Sequence, residues 1–247
     1  NRDPGQLSPV ARLSRRFHGA GALQALDLAY SEATQLPTYT ALNSSPTGGL
    51  FRGNATLGRT ISRNLELRAR GAAAAWQIDA AIFHREDDAL VDWTYGGNTN
   101  ARVANAVDVR TAGIELVARR EFARGSVTLG YTALTKDADY GATNVQASFY
   151  ALNYAKHRLT AALVWRVAAE WELRLDNDAR IQEPNALRTA GGDRALHSAL
   201  GIVWRPGKAR GLELSLQADN LWNSDYQAVP AVPAAGRQVV LGAGYRW

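Results

Sequence analysis

Apolar and polar residues alternate along most of this chain, and the alternation is clearest near its C-terminal end. The segment 211–222 places Leu212, Leu214, Leu216 and Ala218 between Glu213, Ser215, Gln217 and Asp219. The segment 237–247 places Val239, Leu241, Ala243, Tyr245 and Trp247 between Gln238, Val240, Gly242, Gly244 and Arg246. A period of two puts the two sets on opposite faces of a β-strand. The pattern therefore predicts strands with one apolar and one mainly polar face.

The same period divides the rest of the chain into strands, giving eleven in all. They are 7–17, 23–31, 58–70, 75–85, 108–121, 125–135, 154–166, 170–178, 194–205, 211–222 and 237–247. Turn residues bound these segments on both sides. Since no segment has a convincing period of 3.6, no long helix is expected.

The connections between the predicted strands alternate in length. Short ones lie near 18–22, 71–74, 122–124, 167–169 and 206–210, and long ones near 32–57, 86–107, 136–153, 179–193 and 223–236. Outer-membrane barrels have short periplasmic turns and longer extracellular loops. A soluble sandwich with Greek-key crossings has no reason to alternate in this way. The sequence therefore predicts an all-β, antiparallel, up-and-down transmembrane β-barrel.

Aromatic residues form a second pattern, because many of them fall beside the short turns or at the C-terminus. These are Trp76, Trp165, Trp171, Trp204 and Trp247, together with Phe17 and Phe122. In an up-and-down barrel they would all lie at one rim, where amphipathic tryptophan rings favour the lipid headgroup level. The five tryptophans are therefore predicted to contact the membrane interface. The alternative is that they pack in a soluble core.

Composition removes several classes of function. The chain has 247 residues and a formal net charge of +5, but its arginines are dispersed along the strands, which argues against a nucleic-acid face. It contains no cysteine, so it has neither a disulfide framework nor a thiolate metal site. The four histidines, His18, His84, His157 and His197, show no metal-ligand spacing. We therefore predict no metal site, no cofactor and no catalytic residue.

The predicted long loops carry aromatic residues that suit capture of a small ligand from outside the cell. The candidate ligand-binding residues are Tyr39, Trp93, Tyr95 and Tyr140. Aromatic side chains interspersed with Asn, Arg and Asp could hold a ferric chelate or another small molecule. The alternative is that the rings belong to an outer aromatic girdle or to loop packing. Packing is the favoured interpretation for Phe149, Tyr150 and Tyr226, which lie near strand ends.

The C-terminal segment resembles a known family. Asp219-Asn220-Leu221-Trp222-Asn223-Ser224-Asp225-Tyr226-Gln227, then Gly236-Arg237 and the final Gly-x-x-Tyr-x-Trp, are similar to the end of TonB-dependent outer-membrane receptors. Trp222 stands where phenylalanine is usual in that family. Segments 30–38, 54–67, 108–116 and 152–159 resemble further family motifs in the same order. The resemblance covers nearly all of this chain, but only about the last half of such a receptor's barrel.

This resemblance implies a role and a set of partners. Residues 1–247 would be the C-terminal portion of a receptor barrel, with the plug, the TonB box and the earlier strands outside them. The receptor would lie in the outer membrane of a Gram-negative cell, in contact with its lipid. It would import a ferric siderophore, cobalamin or a similar small-molecule ligand, driven by the TonB complex acting through the plug. The barrel assembly machinery would recognise the last strand.

Two other functional classes remain open at this point. The chain could be a smaller complete barrel, such as a porin or an autotransporter translocator, or a soluble β-sheet binding module. The absence of methionine and of a signal peptide favours a segment of a longer protein. A hydrogen-bonded ladder between 7–17 and 237–247 would instead indicate a small closed barrel.

Overall fold

The computed structural model describes residues 5–19, 21–97, 100–209 and 211–247. Eleven long strands dominate: β1 (Val10–Arg16), β2 (Leu23–Gln35), β4 (Thr60–Ala73), β5 (Trp76–Tyr95), β6 (Arg102–Phe122), β7 (Gly125–Asp139), β9 (Ala155–Ala168), β10 (Trp171–Gln182), β11 (Arg194–Trp204), β12 (Leu212–Asp219) and β13 (Gln238–Tyr245). The smaller elements are helix α1 (Tyr39–Asn43) and two short strands, β3 (Phe51–Arg52) and β8 (Ala147–Ser148). Within the described ranges, no helix has the length and apolar character needed to cross a membrane.

The long strands pair strictly in chain order, from β1 at one edge of the sheet to β13 at the other. Every pairing between neighbouring long strands is antiparallel. This confirms the predicted all-β, up-and-down architecture. Over the described residues no pairing joins β1 to β13, so the sheet is not closed. The ladder that a small complete barrel requires is not found between these two strands.

The register sorts side chains onto two chemically distinct faces. Leu28, Leu67, Ile82 and Ile114 lie opposite one another on four successive strands, and each is 38–55% exposed. Residues directly opposite in an antiparallel pair share a face. A contiguous exposed apolar surface of this kind marks contact with a membrane or a partner.

The opposite face carries ion pairs between strands. The Asp27 carboxylate is 4% exposed and accepts hydrogen bonds from Arg12 at 2.9 Å and Arg70 at 2.7 Å. Asp178 likewise accepts from Arg158 at 2.7 Å. Burying a carboxylate is costly unless it is paired and hydrogen-bonded. Each of these two carboxylates is therefore paired with an arginine of a neighbouring strand.

Strands β5 and β6 are much longer than the sequence pattern predicts, so the predicted loop 86–107 is largely wrong. The acidic residues Glu86, Asp87 and Asp88 at the start of this predicted loop lie in the sheet instead. Asp87 is 5% exposed and accepts a hydrogen bond from Arg85 at 2.7 Å. A register shift between Asp87 and Leu90 interrupts the ladder, with Ala89 in the left-handed region at φ 52°. This bulge shifts the alternation by one residue, so a strict period of two ends there although the strand continues.

The remaining differences are smaller. Helix α1 and strand β3 lie inside the predicted loop 32–57, and the Thr38 side chain caps the helix by accepting from the Ala41 N–H at 3.2 Å. Strand β13 ends at Tyr245, so Trp247 lies beyond it and is fully exposed. Short irregular strands and one-turn helices are held by tertiary contacts, which a periodic pattern does not register.

The short turns gather aromatic side chains at one end of the sheet. Trp171 and Trp204 are directly opposite and stacked, with ring centroids 5.6 Å apart and an interplanar angle of 16°. Phe122 and Trp165 meet edge-to-face at 6.0 Å. Trp76 begins β5 on the same face. These rings form the lower border of the exposed apolar face.

Glu170 ties two of the short turns together, and this contact should depend on pH. Its carboxylate accepts from the Gly207 N–H at 2.7 Å and the Trp204 indole at 3.1 Å, and these bonds hold its pKa below the ordinary glutamate range. A depressed folded-state pKa stabilises the fold above the unfolded pKa of about 4.3. That contribution is lost as the pH falls through the lower folded pKa.

We expect the urea midpoint of a Glu170→Gln variant to lie below that of the wild type at pH 7. The difference between the two urea midpoints should be smaller at pH 3. Tryptophan fluorescence would follow unfolding at both pH values. A gap that stays constant between the two pH values would contradict the proposed role of the carboxylate.

Candidate functional site at the long-loop end

The β5–β6 hairpin projects beyond its neighbours at the end of the sheet opposite the short turns. Strand β4 pairs with β5 only as far as Asp88, and β7 pairs with β6 only from Asp108. Past these points β8 pairs with the free edge of β5, and β3 pairs in parallel with the free edge of β6. The β2–β4 loop and the β7–β9 loop therefore contact the hairpin on its two opposite edges.

Asp92 anchors one of these loops. Its side chain is fully buried and accepts hydrogen bonds from the backbone N–H groups of Phe149, Tyr150 and Ala151 at 3.2, 3.0 and 2.9 Å. The Tyr140 hydroxyl donates to the same carboxylate at 3.0 Å. Burial raises the pKa of Tyr140 and the Asp92 charge raises it further, so the phenol remains a donor. A single carboxylate thus holds both ends of the loop 140–151.

Trp93 lies next to this anchor, in an aromatic cluster centred on Phe51. The Phe51 ring meets it edge-to-face at 5.2 Å, and Phe51 lies 6.1 Å from Phe149. Beside Trp93 is a cavity of about 290 Å³. It is lined by Gln35, Leu36, Pro37, Thr38, Thr60, Leu90, Val91, Trp93 and Tyr150. Its apolar and aromatic walls with a few hydroxyl and amide groups suit a small organic ligand.

The four predicted ligand-binding residues occupy different situations. Trp93 and Tyr95 were expected in a loop but lie in β5, and the Arg102 guanidinium covers the Tyr95 ring at 5.2 Å. Tyr140 is half-buried and its hydroxyl is bound to Asp92. Tyr39 begins helix α1 and is 82% exposed, next to Thr38 in the cavity wall. Trp93 and Tyr95 therefore lie on the hairpin, Tyr140 contacts it from the loop 140–151, and Tyr39 is exposed at the surface.

A second buried centre, which the sequence reasoning missed, joins the next two long loops. The Arg188 side chain is 1% exposed and donates to the carbonyls of Glu183 and Gln227, both at 3.2 Å, and to the Asn153 side chain at 2.9 Å. It also covers the ring of Tyr226 at 5.4 Å. Tyr226 is 2% exposed, as the packing interpretation requires. No local pattern marks Arg188 as a link between loops, because Asn153 and Gln227 lie 35 and 39 residues away in the sequence.

The family-like motif that begins at Asp219 stabilises the turn after β12 through the Asn220 side chain. Asn220 is 2% exposed, with φ 47°, and its side chain accepts from the Ser224 N–H at 2.8 Å. The same side chain donates to the carbonyls of Ser224 and Ala235, both at 2.9 Å. Asparagine tolerates this left-handed backbone and caps it with its own amide. The motif therefore closes both ends of the loop that precedes the last strand.

The described part of the chain contains no group of three or more His, Asp or Glu side chains placed to hold a metal ion. What the long-loop end does present is an aromatic cavity on a braced hairpin. Such a surface is suited to binding a small molecule by shape and ring contacts.

Comparison with known proteins decides the family. The sequence profile for the "TonB dependent receptor-like, beta-barrel" family matches residues 22–221. The chain belongs to this family. TonB-dependent receptors are outer-membrane proteins of Gram-negative bacteria that bind small-molecule or chelate ligands and interact with TonB, and they are not a family of enzymes. The predicted family and location are therefore confirmed.

Solved structures of similar fold include proteins named as receptors and transporters. The FrpB iron transporter from Neisseria meningitidis matches 97% of this chain and 39% of its own, with a TM-score of 0.70 and 16% identity. The siderophore receptor PirA from Pseudomonas aeruginosa matches 96% and 39%, with a TM-score of 0.64 and 15% identity. The copper transporter OprC matches 97% and 39%, with a TM-score of 0.68 and 15% identity. At such identities the likeness concerns the fold alone.

This TonB-dependent receptor segment spans about two fifths of the length of those structures. No curated protein sequence matches it. In barrels of this kind the apolar face contacts lipid, the polar face lines the lumen and the short turns are periplasmic. The apolar residues Leu28, Leu67, Ile82 and Ile114 therefore face lipid. Asp27 faces the lumen, and the β5–β6 hairpin is extracellular.

Proposed function

We propose that this chain is the C-terminal part of the barrel wall of an outer-membrane importer for a ferric siderophore, cobalamin or a comparable scarce ligand. The observation that carries the proposal is the extracellular hairpin, braced through Asp92 and bearing the aromatic cavity beside Trp93. The similar folds named as siderophore, iron and copper proteins support a metal-containing ligand.

Other parts of the receptor would complete the transport cycle. Residues 1–247 provide wall and loops, and TonB would act through a plug that fills the polar lumen. The strands β1 and β13 are both open edges, which further strands would cover, because lipid cannot satisfy unpaired backbone groups. The exposed strand β13 with Trp247 is the segment that the barrel assembly machinery would recognise.

The four candidate residues would have different roles in ligand binding. Tyr39 is exposed and would touch the ligand as it arrives, while Trp93 would form the wall of its cavity. Tyr95, covered by Arg102, would extend this aromatic surface. Tyr140 would position the loop through Asp92.

The rings at the short-turn rim would anchor the barrel in the inner leaflet of the outer membrane. The set comprises Trp76, Trp165, Trp171 and Trp204, with Trp247 just beyond β13. Aromatic girdles of this kind hold a barrel at the headgroup level.

The test is uptake by cells that depend on this receptor under iron or cobalamin limitation. The probes are a panel of radiolabelled ferric siderophores and cobalamin. We expect Tyr39→Ala and Trp93→Ala each to weaken uptake of one probe about tenfold, the loss of roughly 1.4 kcal/mol of binding. Trp222→Phe is the control, since Trp222 is 62% exposed and does not line the cavity. Immunoblots of the outer membrane would confirm equal abundance.

Two outcomes would count against the proposal. If no metal chelate or cobalamin in the panel enters through the wild-type receptor, the transport assignment fails. If one probe enters but both alanine variants import it normally, the aromatic cavity is not its binding site.

A further inference from the structure

Arg120 occupies a position on the lipid-facing surface close to the periplasmic rim. It lies in β6 directly opposite Trp76 on one side and Val127 on the other. The next residue along this face is Phe122. Its neighbour Arg119 points to the lumen, where it pairs with Glu121 at 2.6 Å. The side chains of Arg119 and Arg120 therefore point to opposite faces of β6.

The guanidinium of Arg120 is held by aromatic rings and lacks an anionic partner. Its central carbon lies 5.0 Å from the Phe122 ring centroid and 6.0 Å from that of Trp76. The Nε atom is buried without a hydrogen-bond partner. Throughout the described ranges no Asp or Glu pairs with Arg120, whereas the lumen-facing Arg68, Arg158 and Arg174 each have one.

This environment is incomplete without an anion. Cation–π contacts orient a guanidinium but leave its N–H groups unused. The buried Nε is not accessible from outside the protein, but the two terminal nitrogens of Arg120 make no hydrogen bond within the described residues either. These terminal N–H groups are the donors left for an external acceptor, and leaving them unpaired is costly. At the lipid-facing rim of a membrane barrel, the acceptors at hand are the phosphate groups of phospholipids. Arginine binds phosphate through two parallel hydrogen bonds, which a lysine cannot reproduce.

We propose that Arg120, framed by Trp76 and Phe122, binds the phosphate group of a phospholipid in the periplasmic leaflet. The aromatic rings would pack on the glycerol and upper acyl carbons while the guanidinium takes the phosphate. Arg15 repeats the arrangement at the first strand, where it covers Phe17 at 5.2 Å on the same face. This site is separate from ligand import and does not depend on the transport assignment.

The test measures lipid retention by the protein extracted from the outer membrane in mild detergent. Native mass spectrometry would compare bound phosphatidylglycerol with diacylglycerol, which has the same acyl chains but no phosphate. We expect the wild type to retain phosphatidylglycerol about tenfold better than diacylglycerol, and Arg120→Gln to lose this preference. Arg119→Gln, which removes a neighbouring arginine from the other face, should keep it.

A second variant keeps the test decisive if Arg120→Gln assembles poorly. Arg120→Lys retains the charge without the planar fork, so its preference should fall between those of the wild type and the glutamine variant. The proposal would be overturned if Arg120→Gln, or Arg120→Lys in its place, kept the wild-type preference for phosphatidylglycerol over diacylglycerol. An equal loss in Arg119→Gln would also overturn it, because it would show that net charge alone attracts the lipid.

Discussion

Replacing Leu116 with arginine is expected to lower the free energy of unfolding of the bilayer-embedded receptor by ~2–4 kcal/mol, the cost of arginine at the midplane on the lipid face of a barrel. Leu116 lies on the apolar face of β6, well inside the rim marked by Phe122, and is opposite Ala80 and Tyr131. The substituted guanidinium would have no partner at that depth and could reach the headgroups only by distorting the strand. Urea unfolding of the receptor in lipid vesicles would measure the change.

The adjacent residue provides the control. Val117 lies on the polar face, opposite Asp79 and Gly130. A Val117→Arg variant adds the same side chain one residue away, but towards the lumen and a carboxylate. Its stability should stay close to that of the wild type. Equal destabilisation by the two variants would mean that the two faces are assigned incorrectly.

Asp92→Ala is expected to release the extracellular loop 140–151 from the hairpin. The change removes the acceptor of three backbone N–H groups and one hydroxyl at a fully buried position. Each unsatisfied buried donor costs ~1–3 kcal/mol, so we expect a local loss of roughly 3 kcal/mol or more. Hydrogen exchange at the amides of Phe149, Tyr150 and Ala151 should accelerate by about 10²-fold, as every 1.4 kcal/mol is a factor of ten.

A milder substitution separates the roles of the individual bonds. Tyr140→Phe removes only the phenol donor and leaves the carboxylate with its three backbone partners. It should change exchange at these amides far less than Asp92→Ala does. Unchanged exchange in Asp92→Ala would show that the loop is held by something other than this carboxylate.

Several features of the receptor were predictable because they repeat locally. The alternation of Leu163 and Trp165 with Ala162 and Val164 or Arg166 is enough to define a strand with a membrane face. The turn chemistry around Asn220 is similarly local, since its amide bonds to Ser224 only four residues away. Family motifs of this kind are short and contiguous, so a single sequence can display them.

Other features were not predictable, because they depend on contacts with residues that are distant in the sequence. Asp87 reads as part of a solvated acidic run, but the fold places it against Ser62 and Arg85 inside the sheet. The bulge after Asp87 then shifts the period by one residue, which hides the outer halves of β5 and β6. A pattern search sees this shift as the end of a strand.

The sequence by itself determined the strand period, the alternation of short and long connections, the aromatic rim and the family. All of these depend on residues that are neighbours along the chain. Only the tertiary structure decided which carboxylate and which arginine hold the extracellular loops. Asp92 bonds to residues nearly sixty positions away, and Arg188 joins segments from Asn153 to Gln227. Such contacts arise when neighbouring strands bring their loops together, and no local period encodes them.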